Sequence, residues 1–98
     1  MLGESIIEPM ISDDDIKTIR ELAAKYSLKK VLLFGSAARQ DSGFRDIDLA
    51  VEGVRPQEFF LLYGELMSRL SMPVDVLDLS RPKRFSRMVS REGIPLYG

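Results

Sequence analysis

The chain contains no cysteine and no histidine. Without cysteine there is no disulfide framework and no thiolate to act as nucleophile or ligand, which suits a reducing cytoplasm. Without histidine, Ser/His and Cys/His catalysis fall away together with the usual zinc sites. Any catalysis must therefore rest on carboxylates, hydroxyls, Lys, Arg and a bound metal. Charge of one sign is also missing: a formal net charge of −1 gives no global attraction to nucleic acid or to a membrane surface. Residues 1–11 have no basic flank and no long apolar core, so neither a signal peptide nor a membrane span is expected there.

What is present fits one small soluble domain: 98 residues, 45% hydrophobic and 30% charged. The chain reads as an N-terminal arm over 1–11 followed by a domain over 12–98, without repeat, linker or low-complexity segment. Ser12 and the acids Asp13, Asp14 and Asp15 announce a helix over about 13–26, and the acids are read as capping and solubility. Ile16, Ile19, Leu22, Ala23 and Tyr26 give that helix its apolar face. A second helix over 57–70 carries Phe59, Leu62, Tyr63, Leu66 and Leu70 at helical spacing. Phe60, Leu61 and Met67 fall off that stripe, so either burial is wide or a partner covers them. Ser80-Arg81-Pro82 opens a last helix whose Arg81, Arg84, Arg87 and Arg91 form a basic stripe, read as a solvated face or as a contact for phosphates or an acidic partner. Ile94-Pro95-Leu96-Tyr97 is expected to be a short edge strand.

The chemistry concentrates between these helices. Val31-Leu32-Leu33-Phe34 is a continuous apolar run, the pattern of a strand buried on both faces. Gly35-Ser36 follows directly, and Ser36-Ala37-Ala38-Arg39 reads as a helical turn. Glycine permits close approach of a ligand, and a helix start offers unpaired N–H groups, together a site for an anion. After a loop over 41–45, with Gly43 as its turn residue, comes Asp46-Ile47-Asp48-Leu49-Ala50-Val51. In a strand Asp46 and Asp48 project to one side, roughly 6.6–6.8 Å apart, while Ile47, Leu49 and Val51 pack inward. Two adjacent carboxylates repel unless a cation lies between them, and Mg²⁺ favours carboxylates combined with phosphate and water. The third strand, 73–79, adds Asp75 and Asp78, which are three apart and so face opposite sides. Asp78 could cap the following turn; Asp75 sits deeper and is the candidate third carboxylate, its burial being costly unless compensated.

Gly35-Ser36-Ala37-Ala38-Arg39, Asp46-Ile47-Asp48-Leu49-Ala50-Val51, Val74-Asp75-Val76 and the closing Arg91 to Tyr97 resemble the minimal nucleotidyltransferase (MNT) domains of the DNA polymerase β-like nucleotidyltransferase superfamily. The resemblance implies an α/β (α+β) fold with a mixed sheet of three to four strands, helices mainly on one face and the carboxylates on an open face. It implies that Gly35 and Ser36 cradle a triphosphate, with Arg39 touching phosphate or bracing the loop. It implies that Asp46, Asp48 and Asp75 hold two Mg²⁺ ions, with Asp75 also placed to accept the incoming hydroxyl's proton. Arg45 departs from the pattern, standing where Ser is common before the first acid.

By the same resemblance the activity is transfer of AMP from ATP to a hydroxyl on a protein acceptor, a tyrosine of a cognate HEPN-family toxin, in an antitoxin role in the cytoplasm. Two alternatives stand beside it: a small-molecule (aminoglycoside-type) acceptor, and a non-catalytic antitoxin acting by complex formation. The sequence leaves open the acceptor, the choice of nucleoside triphosphate and homo- or hetero-oligomerisation.

Overall fold

A computed structural model describes residues 11–38, 45–80 and 93–98. Helix α1 (Asp13–Lys25) starts where the Ser12 hydroxyl accepts the Asp15 N–H at 3.1 Å, satisfying one of the donors a helix start leaves open. Asp13, Asp14 and Asp15 fill its first turn and Lys25 its last, matching the helix dipole. Asp15 departs from the expected role in capping and solubility. It is 4% exposed and accepts from the Ser71 N–H at 3.1 Å and the Ser71 hydroxyl at 2.5 Å. Those donors satisfy a carboxylate taken out of water and pin the start of α1 to the chain just past the C-terminal end of the helix Phe59–Arg69.

Among the described residues four strands follow: β1 (Lys30–Phe34), β2 (Ile47–Glu52), β3 (Val74–Asp78) and β4 (Ile94–Tyr97). They form one sheet in the order β3-β2-β1-β4. β1 is antiparallel to β2 and to β4, and β2 is parallel to β3. A single helical turn, α2 (Gly35–Ala38), leaves the end of β1. The long helix α3 (Phe59–Arg69) carries the chain from β2 to β3, the crossover that a parallel pair requires.

Strand alternation sorts the apolar side chains into two groups. Val31, Leu33, Ile47, Leu49, Val51 and Val74 join Ile19 and Leu22 of α1 and Leu62 and Leu66 of α3 in the main core. Leu32 and Ala50 are buried in a second cluster, with Phe34, Leu77 and Leu79 packed against them. β1 is thus apolar on both sides, as its unbroken run implied, and the fold is the expected α+β arrangement around a mixed sheet. Ile11, at the end of the segment read as an arm, belongs to the main core. Residues 1–10 of the segment expected to be an arm, the expected turn at Gly43 and the expected helix with Arg81, Arg84, Arg87 and Arg91 lie outside the described residues.

Polar contacts lock the two long helices together. Glu65 of α3 receives the Tyr26 hydroxyl and lies 2.7 Å from Lys25 Nζ, while Arg69 and Glu21 pair at 2.9 Å. The outer side of α3 is different. Phe60, Leu61 and Met67 are 81%, 61% and 63% exposed, so the wide-burial reading of this helix is wrong. Its buried stripe consists of Leu62 and Leu66, and the three side chains lie outside that stripe.

Candidate active site

The site is built at the end of β1. The chain leaves Phe34 and turns at Gly35, whose φ of 75° lies in the left-handed region that disfavours any residue with a Cβ. Space makes the same demand. A Cβ at Gly35 would lie 3.1 Å from Cγ of Asp48 and inside contact distance of its Oδ2. The turn into α2 therefore runs directly against the Asp48 carboxylate. α2 spans only Gly35–Ala38, so what it offers an anion is local backbone N–H groups rather than a long helix dipole. Ser36 contributes backbone to this turn; its side chain and Arg39 lie outside the described residues.

Sheet register brings the acids together. Phe34 pairs with Asp48 across β1 and β2, and Asp48 pairs with Asp75 across β2 and β3. Neighbouring strands stand about 4.7–4.9 Å apart, so Asp48 and Asp75 are side-by-side residues of one sheet face. Asp46 is exposed and lies one residue before β2, where the Ile47 N–H still donates to the Pro73 carbonyl at 2.8 Å. Arg45, next to it, is exposed as well.

Burial is not what calls for compensation here. Asp75 is exposed and Asp48 half-buried, so the expectation of a deep Asp75 is corrected: β3 stands at the edge of the four-stranded sheet, and Asp75 is its one exposed residue. Asp78 does cap the following turn, its Oδ1 accepting from the Ser80 N–H at 2.9 Å and the Ser80 hydroxyl at 2.7 Å.

The donors are hard carboxylate oxygens, the chemistry that suits Mg²⁺. Among the described residues no three acids gather into a ready-made metal cage. Magnesium needs less than that, because one or two carboxylates together with substrate phosphates and water commonly complete its shell. The in-register Asp48 and Asp75 meet that requirement.

One residue at the site escaped the sequence reading. Tyr63, placed there on the apolar stripe of the second helix, directs its hydroxyl to Asp75 Oδ1 at 3.3 Å. Burial of the phenol, and then the charge of Asp75, push the Tyr63 pKa up, so the hydroxyl keeps its proton. The available signal was a tyrosine where leucine or phenylalanine would fill a core stripe, since its polar tip needs a partner.

With this geometry in hand, comparison with known proteins gives a consistent result. The family model described as polymerase beta, nucleotidyltransferase matches residues 17–98. A search of the curated proteins finds no match. Among solved structures, a chain of a toxin–antitoxin complex with AMP-PNP is 27% identical with a TM-score of 0.71, covering 85% of this chain and 73% of that one. A chain of the MntA–HepT toxin–antitoxin complex is 26% identical with a TM-score of 0.65, covering 86% and 70%. The same values hold for a structure of tri-AMPylated Shewanella oneidensis HEPN toxin in complex with MNT antitoxin. A family match over residues 17–98, most of the chain, on an α+β fold around a mixed sheet, places this protein in the polymerase β nucleotidyltransferase family.

Proposed function

We propose that this chain is an MNT-type antitoxin that moves AMP from ATP to a tyrosine hydroxyl of a HEPN-family toxin in the cytoplasm. The observation that carries the reading is the Gly35 turn lying against Asp48, with Asp75 in register on the next strand. The turn would hold the triphosphate through backbone N–H groups, aided by Ser36 and Arg39. Asp46, Asp48 and Asp75 would hold magnesium. When bound, Mg²⁺ would neutralise phosphate charge and stabilise both the attacking and the leaving oxygen. The acceptor oxygen bonds to the α-phosphorus, the bond to the β-phosphate oxygen breaks, pyrophosphate departs and Asp75 takes the acceptor's proton.

Much of the acceleration would come from alignment, worth up to about 7–11 kcal/mol in favourable cases. The AMP-PNP complex and the AMPylated HEPN toxin among the structural relatives support both halves of the reading. The uncovered Phe60, Leu61 and Met67 give a protein acceptor an apolar surface to bind.

The test is incubation with α-labelled ATP, Mg²⁺ and the product of the adjacent gene, which this reading takes to be a HEPN-family toxin. Label should reach the partner, and Asp46→Asn/Asp48→Asn should cut transfer by two orders of magnitude or more. Equal transfer by that variant would refute the catalytic reading. Neutralisation by contact alone is the second reading, favoured by the same exposed apolar surface, which needs no metal to act.

A further inference from the structure

Asp75 has a supporting contact that none of the roles above uses. Its carboxylate stands exposed on an outer strand, where an unrestrained side chain exchanges among rotamers. A carboxylate serving a metal or a transferring proton has to be held within about 0.5 Å of its working position. Tyr63 is suited to hold it. Its ring packs against the main core and meets Phe59 edge to face, with centroids 5.9 Å apart, so the hydroxyl projects from a fixed base. The hydroxyl donates to Oδ1 of Asp75 at 3.3 Å, which leaves Oδ2 for a cation or an acceptor proton.

We propose that Tyr63 is a positioning residue: by binding one oxygen of Asp75 it orients the other toward the Asp48 side of the sheet face. This rests on the nucleotidyltransferase reading of the site. It assigns α3 a second duty, because the helix that closes the core also sets a site carboxylate. Groups that orient metal ligands in this way are commonly worth about 10–100-fold in metal affinity.

The experiment measures Mn²⁺ affinity by electron paramagnetic resonance in the presence of AMP-PNP, on the full chain, with thermal midpoints recorded in parallel. Tyr63→Phe keeps the ring and its packing, so its Tm should stay within about 2 °C of wild type, as a mild surface change does. Its Mn²⁺ affinity should fall by about tenfold. Asp75→Asn should weaken Mn²⁺ at least as much, and adding Tyr63→Phe to it should cost nothing further, since two residues acting as one unit do not add. Wild-type affinity in Tyr63→Phe overturns the proposal. So do losses that multiply in the double variant, or a loss that only tracks a fall in Tm. If Asp46→Asn/Asp48→Asn and Asp75→Asn all bind Mn²⁺ like wild type, the metal-site reading itself fails. If those weaken and Tyr63→Phe does not, only the role of Tyr63 falls.

Discussion

At Gly35 two constraints meet on one residue: a left-handed backbone and a carboxylate pressed against the missing side chain. Gly35→Ala should therefore cost about 1–2 kcal/mol from the backbone alone, or about 4–16 °C in Tm for a domain of this size. Because the new methyl must displace Asp48, transfer should fall further than the lost stability explains; wild-type activity in the folded variant would contradict the close approach. The cluster of Lys25, Tyr26 and Glu65 makes a pH prediction. Hydrogen bonds from Lys25 and then Tyr26 lower the Glu65 pKa below 4.5, so its contribution is present above that value and is lost as pH falls through the depressed one. The Glu65 hydrogen bond, then burial, raise the Tyr26 pKa from 10.0 to about 12, so that contribution is intact below 10 and lost as pH climbs toward 12. Glu65→Gln should flatten both limbs of a Tm against pH curve relative to wild type; a gap between the two proteins that is the same at every pH would refute the assignment. Single residues were unevenly legible in the sequence. Gly35, Asp46 and Asp48 stood out because their spacing is local. Tyr63 and the buried Asp15 did not, since each draws its role from a partner 12 or 56 positions away.

Elements were more legible than residues. The apolar periodicities and the Ser12 cap placed α1, and the alternation around Asp48 placed β2, both within a residue or two of their observed ends. Register was not readable, because which residue of β3 faces Asp48 is decided by how α3 docks on the sheet, not by β3's own pattern. α3 also shows a pattern that periodicity alone left ambiguous. The outward positions of α1 carry Asp13, Asp14, Lys17, Arg20, Glu21 and Lys25. The outward face of α3 carries Phe60, Leu61, Gly64, Met67 and Ser68, with the exposed Arg69 beside it paired to Glu21, and no described residue lies within 4 Å of the place a Gly64 Cβ would take. An uncharged stripe two turns long with a gap at its centre is a surface on which another helix can lie. Phe60→Asp/Met67→Asp should leave Tm within about 2 °C of wild type, since neither side chain is in the core. On the proposed function it should abolish co-purification with a HEPN-family toxin; an intact complex would show that the partner binds elsewhere.

On the scale of the whole molecule, the acids and the apolar stripe belong to different layers. Asp48 and Asp75 share a sheet face with Leu32 and Ala50, while α3 packs through Leu62 and Leu66 against the other face. The described bridge between the layers is the reach of Tyr63 to Asp75 at the outer strand. Chemistry and partner binding should therefore separate by mutation. Asp48→Asn removes charge from the acid face without touching α3, so the complex should form as in wild type while AMP transfer is lost. Phe60→Asp/Met67→Asp should lose both, because a protein acceptor that cannot dock cannot present its hydroxyl, yet AMP-PNP binding should persist. Growth of cells expressing the HEPN-type partner then distinguishes the two readings of function. Rescue by wild type but not by Asp48→Asn means that modification silences the partner. Equal rescue by both, with none from the α3 variant, means that contact suffices and the acids are not required for neutralisation. Should Asp48→Asn break the complex itself, the two layers are not independent, and the partner must touch the acid face directly.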